Sequence, residues 1–183
     1  RFLAIAFYYW VKAMDELKNE RLFKTPSLSP LYIIAGMRQM WSTNPVVMSN
    51  ATLSGVSFAV VALGWKGFVY GPGILFIAFA FQIFFNMFRR RDSLPITAAS
   101  LQMMLTAFVI PLPFYCWPGL SLLFDPSGFQ PMFYIIGFTL ALGWVSSSYR
   151  DKPWLLVLGS TAVLMGSILA ILYVLQQANI YDG

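Results

Sequence analysis

Histidine is absent from the chain, and cysteine occurs once, at Cys116. No internal disulfide can form, and neither a Cys/His metal cluster nor a Ser-His-Asp triad can be assembled from these residues. Charge is scarce too. Charged residues make up 10% of the 183, against about 25% in ordinary soluble domains, and a water-facing surface cannot be built from so few. The seven acidic side chains against twelve basic ones leave a net charge of +5. That excess does not indicate nucleic acid, because the basic residues sit between apolar runs rather than on one face or among interleaved base-stacking aromatics. No charged side chain falls in the middle of a long apolar run, where proton relays and ion paths announce themselves, so an ion-coupled pump is disfavoured.

What the chain has in abundance is apolar length: 58% of its residues are hydrophobic. From Phe68 to Met87 no side chain carries charge, a run long enough at about 1.5 Å per residue to cross a hydrocarbon core of about 30 Å. Arg89, Arg90 and Arg91 follow at once. Guanidinium groups are costly to move through lipid and welcome beside anionic headgroups, so that end is expected in the cytoplasm. The same pattern recurs at Val46 to Trp65, Ile96 to Tyr115, Pro131 to Tyr149 and Pro153 to Leu175. Phe2 to Ala13 is too short to span alone and reads as the inner part of a truncated first span. A charged loop from Lys12 to Lys24 and the helix-breaking TPSLSP come next. Leu31 to Trp41, interrupted by Arg38, reads as an interfacial segment. Pro111 and Pro113 are expected to kink or fray the end of their span. The loop Cys116 to Gln130 carries one charge, Asp125, and interface-seeking Trp117, Phe124 and Phe129.

The expected fold is therefore an all-α polytopic membrane helix bundle of about six spans, a single transmembrane domain fragment occupying residues 1–183. It begins and ends beside apolar runs, which reads as a piece of a larger protein. Placing the arginine triplet inside puts Lys12, Lys18, Arg21, Lys24, Arg38, Arg89, Arg90, Arg91, Arg150 and Lys152 inside, with Arg1 and Lys66 outside. Both chain ends then lie on the external face of a cell membrane. Asn50-Ala51-Thr52 is formally a glycosylation sequon but falls at the cytoplasmic border, where it would stay unused.

Few residues offer chemistry. Gln82, Asn86 and Gln102 are expected to hydrogen-bond between helices. Asp125 and Asp182 read as solvated loop carboxylates, outside any ligand cluster. Lys66, where two helices meet beside Trp65 and Tyr70, suits a lipid phosphate; the alternative is a lysine snorkelling to the interface. Gly71-Pro72-Gly73 lacks the spacing of a phosphate loop and is expected to start or loosen a helix. These residues supply no catalytic group and no metal ligand set.

Three stretches carry a resemblance. A small-residue helix ends in GWKGFVY, an apolar helix ends in FQIFFNMFRRRDS, and a further span ends in IPLPFY. Together they resemble the membrane domain of archaeal oligosaccharyltransferase catalytic subunits, the dolichyl-phosphooligosaccharide-protein glycotransferases. RFLAIAFYYWVKAM is similar to the family helix that follows its second external acidic motif. The resemblance covers essentially the whole chain, and the sense of the six spans is that of the fourth to ninth membrane helices of the family. It implies transfer of a glycan from a polyprenyl (dolichyl) phosphate carrier to the asparagine of an N-x-S/T sequon in an acceptor protein. It also implies a manganese or magnesium ion held by carboxylates outside residues 1–183, and no WWDYG motif occurs here. This piece would then be scaffold and lipid-donor groove, with Tyr70 near the lipid phosphate and Lys66 in place of a glycine of the usual turn. Two other readings stay open: another polyprenyl-phosphate-sugar glycosyltransferase, and a transporter or structural membrane subunit.

Overall fold

A computed structural model describes residues 1–17, 29, 31–116, 130–149 and 151–177. Among the described residues the chain is all-helical: α1 (Phe2–Glu16), α2 (Leu31–Thr43), α3 (Pro45–Gly64), α4 (Tyr70–Phe88), α5 (Leu94–Val109), α6 (Leu112–Cys116), α7 (Gln130–Ser148) and α8 (Trp154–Gln177). The loop residues Lys18 to Lys24, Trp117, Phe124, Asp125, Phe129, Arg150 and Asp182 lie outside the described residues.

Local chemistry explains the boundaries. α1 runs through Lys12 and Asp15 to Glu16, past the Ala13 boundary expected from hydropathy, because charge stops a span without stopping a helix. Asn44 separates α2 from α3. Its side chain accepts the Val47 N–H at 3.3 Å while Pro45 occupies the first turn, where its missing N–H costs nothing. Between α3 and α4, Trp65 is extended and Lys66–Val69 form a 3-10 turn. The Phe68 N–H donates to the Trp65 carbonyl at 3.1 Å in that turn. Gly71 and Pro72 fall in the first turn of α4, as a helix start requires. At its other end, the Arg90 N–H donates to the Met87 carbonyl and the Arg91 N–H to the Asn86 carbonyl, with Arg90 left-handed at φ 49°. That is a Schellman cap with arginine where glycine is usual. The Asp92 carboxylate accepts the Leu94 N–H at 3.0 Å and opens α5. The helix is interrupted at Ile110–Pro111 before the short α6, at the prolines expected to kink or fray it.

Contacts between helices give their relative directions. The Ser54 hydroxyl donates to the Ala6 carbonyl at 2.8 Å, while Leu3 and Phe58 both lie against Gly71, so α1 and α3 run antiparallel. Gln102 donates to Thr52 at 3.1 Å, and Gly55 lies against Met103 and Thr106, so α3 and α5 are parallel. Thr139 reaches the Met104 sulfur, and Phe108 meets Phe133, so α7 opposes α5. Gly73 lies against Ile135 and Phe76 against Phe138, so α4 is parallel to α7, and Phe88 against Trp154 starts α8 where α4 ends. Directions therefore alternate through α1, α3, α4, α5, α7 and α8. One consequence is a basic end: Lys12, Arg38, Arg89, Arg90, Arg91 and Lys152 gather there, while Arg1 and the Lys66 turn occupy the other.

The bundle centres on α5, in which every residue from Leu94 to Leu101 is buried. α2 crosses it with Tyr32, Ile33, Gly36 and Met40 inward and Gly36 against Leu94. In lipid there is no hydrophobic drive between helices, so close packing of small residues and interhelical hydrogen bonds must hold them. A Cβ on Gly55 would sit 2.5 Å from the Met103 carbonyl oxygen, and one on Gly143 would strike Thr97. Gly55 marks two backbones in near contact, and Gly143 makes room for the Thr97 side chain.

Among the described residues four helices are long and apolar enough to cross a membrane: Pro45–Gly64, Tyr70–Phe88, Leu94–Phe114 and Pro131–Ser148. This is compatible with an integral membrane protein. α1 has 15 residues, short of the roughly 20 that a span needs, and the apolar part of α8 identified by the same criteria is Trp154–Ser167.

Candidate functional site

Among the described residues, a place at each end of the bundle combines polar or charged groups with accessible apolar surface.

The first is the lip from Trp65 to Gly73, opposite the basic end. The Trp65 and Tyr70 rings lie 6.4 Å apart between centroids, inclined by 40°, and are 50% and 69% exposed. Phe68 between them points the other way and is 1% exposed. The 3-10 turn produces this division by tightening the backbone so that Trp65 and Tyr70 project while Phe68 plugs the bundle. Gly71 then lets α4 close on α3, because any side chain there would meet Phe58, with Leu3 of α1 just beyond. Thus Trp65 and Tyr70 are brought together as a pair of outward aromatics, and the Lys66 backbone lies in the turn between them. The Lys66 side chain is outside the described part of the structure. Aromatic pairs that are half wet and half apolar suit headgroup depth.

The second place is a cavity of about 900 Å³ at the basic end, which hydropathy does not reveal. α1 and α4 meet near Leu3 and Gly71 and separate toward the basic end. The wedge between them has Trp10, Val11 and Met14 on one wall and Ala78, Phe79 and Gln82 on the other. Asn86, Arg89 and Arg91 continue the second wall to the mouth, where Asp15 and Asp92 also lie. Gln82 donates to Asn86 at 3.2 Å, and Asn86 is 8% exposed. This differs from the interhelical role expected for the pair. They bond to each other along one helix and line the cavity together. Gln102 does bridge helices, to Thr52. One sequence signal for the cavity existed: Gln82, Asn86 and Arg89 are spaced i, i+4, i+7, a polar stripe on one face of an otherwise apolar helix.

The sequon asparagine, Asn50, is 5% exposed inside α3, which makes it inaccessible to any modifying enzyme in the folded chain. Among the described residues no group of three or more His, Cys, Asp or Glu converges to hold a metal ion. No protein-family model, curated protein or solved structure matches the chain.

Proposed function

We propose that the chain is the central part of the membrane domain of an oligosaccharyltransferase catalytic subunit of the archaeal type. In this reading α1, α3, α4, α5, α7 and α8 cross the membrane in turn. The basic end faces the cytoplasm, and the lip faces the outside. The lip holds the phosphate end of a polyprenyl-linked oligosaccharide, whose glycan passes to a sequon asparagine of the acceptor protein. The divalent cation of such an enzyme, manganese or magnesium, takes its carboxylates from outside residues 1–183.

The observation that carries this reading is the pairing of exposed Trp65 and Tyr70 on a turn that begins with Lys66, at the end of the bundle remote from Arg89–Arg91. An anionic phosphate on a long apolar chain needs aromatic surface at headgroup depth, a cation and a hydroxyl, and this turn supplies one of each. The reading also accounts for the alternating helix directions, which bring the basic residues to one end as the positive-inside rule requires.

The test is donor kinetics in membranes containing the intact enzyme. Replacing Lys66 and Tyr70 together by alanine should raise KM for the lipid-linked donor about tenfold, the effect of removing charge-assisted contacts to a phosphate, while acceptor-peptide affinity stays unchanged. Unaltered donor kinetics would remove both residues from the site.

A further inference from the structure

We propose that the cavity at the basic end, between α1 and α4, binds a single phospholipid, with its phosphate on Arg89 and Arg91 and its acyl chain along the apolar walls. This is a different surface from the lip and does not rest on the function proposed for it.

Shape and chemistry lead to the same occupant. At about 900 Å³ the cavity is at the upper end of the usual range for ligand pockets, about 300–1,000 Å³. Its character changes along its length. Deep in the wedge it is lined by Trp10 and Phe79, then by the amides of Gln82 and Asn86, and at its mouth by two guanidiniums. That sequence of apolar, amide and cation is the order of acyl chain, ester and phosphate in a glycerophospholipid. A soluble anion would have no use for the apolar depth, and an apolar helix would leave two arginines against hydrocarbon.

The backbone reinforces the arrangement. The left-handed turn at Arg90, φ 49°, breaks the helical progression, so Arg89 and Arg91 both line the cavity while Arg90, between them in sequence, does not. Arg89 and Arg91 are themselves exposed. Of the carboxylates at the mouth, Asp92 caps Leu94, and Asp15 has a partner of its own. Arg89 and Arg91, exposed and lining the same cavity, are the donors there that a phosphate can meet. The amides explain themselves in the same way. Asn86 is nine-tenths buried in an apolar helix, where an unused amide is costly, and a lipid ester would take the donors that Gln82 and Asn86 do not spend on each other.

The experiment is lipid retention by the purified full chain, measured by native mass spectrometry after exchange into detergent containing dioleoyl phosphatidic acid. Wild-type protein should keep one molecule of the lipid. The Arg89→Ala/Arg91→Ala double variant should retain about tenfold less, as expected for the loss of two charge-assisted contacts. Arg90→Ala, which removes the same charge from the same turn, should match wild type. An Ala78→Trp variant fills the apolar depth with no change of charge and should also lose the lipid, a result independent of whether the double variant folds. Millimolar inorganic phosphate should not displace the lipid. An equal loss in the Arg90→Ala variant and the double variant would reduce the effect to general attraction, retention by Ala78→Trp would empty the cavity of its acyl chain, and displacement by phosphate would make it an anion site; each of these overturns the proposal.

Discussion

Arg90 shows how a single residue can be placed against its own preference. Left-handed φ is disfavoured for any residue with a Cβ, and the cap of α4 requires it there. Arg90→Gly should therefore stabilise the fold by up to about 1 kcal/mol, measured by equilibrium unfolding in mixed micelles. Gly55 is the opposite case. With the Met103 carbonyl oxygen 2.5 Å from where its Cβ would be, Gly55→Leu must push α3 away from α5. A cost of about 1–3 kcal/mol is expected from the overpacking, visible as a lowered Tm. Ser100 is wholly buried, and its hydroxyl has no partner among the described residues. Ser100→Ala removes a polar group that is not paying its desolvation, so the same unfolding assay should show no loss and a gain of up to about 1 kcal/mol.

Among the elements, α4 and α5 divide the labour in a way that hydropathy hides. Of the apolar window in α4, 33% is buried, against 67% in Leu94–Phe114, which is α5 continued into α6. Tyr70, Ile74, Ile77, Phe81, Phe85 and Phe88 form one exposed stripe down α4, which suits contact with acyl chains. The helix that looks dominant in the sequence is peripheral, and the small-residue α5 is the centre. Both outcomes follow from one fact: lipid rewards large apolar side chains, whereas helix contacts in lipid reward small ones. The α3–α5 pair adds the Gln102–Thr52 hydrogen bond at 3.1 Å. A double-mutant cycle of Gln102→Leu and Thr52→Val should return a coupling of about 0.6 kcal/mol, the average for such bonds in a membrane protein, and no more than about 1.7 kcal/mol. A coupling of zero would mean that the two side chains find equal partners when separated.

For the whole molecule the central question is how many helices cross. In a Cys116→Ser background, Tyr70→Cys and Arg91→Cys should react with impermeant thiol reagents from opposite sides of a sealed vesicle. Tyr173→Cys, in the last turns of α8, should react from the same side as position 70; reaction from the side of position 91 would mean that α8 does not cross. Sequence alone determines a good deal of this architecture. Uninterrupted apolar length, the arginine stop at Arg89–Arg91 and the prolines at 45, 95 and 111 mark the helices within a few residues, because solvation of charge and the geometry of proline act locally. The lip was legible for the same reason, as Trp65, Lys66 and Tyr70 fall within six consecutive residues. Only the tertiary structure decided that α5 is central, that Asn50 is sealed inside the bundle, and that α1 and α4 part to leave a cavity ending on two of the three arginines. Those features depend on which helix faces meet. In a chain apolar on nearly every face, hydrophobicity does not choose between faces, and the choice falls to glycine contacts and a few hydrogen bonds between residues distant in sequence.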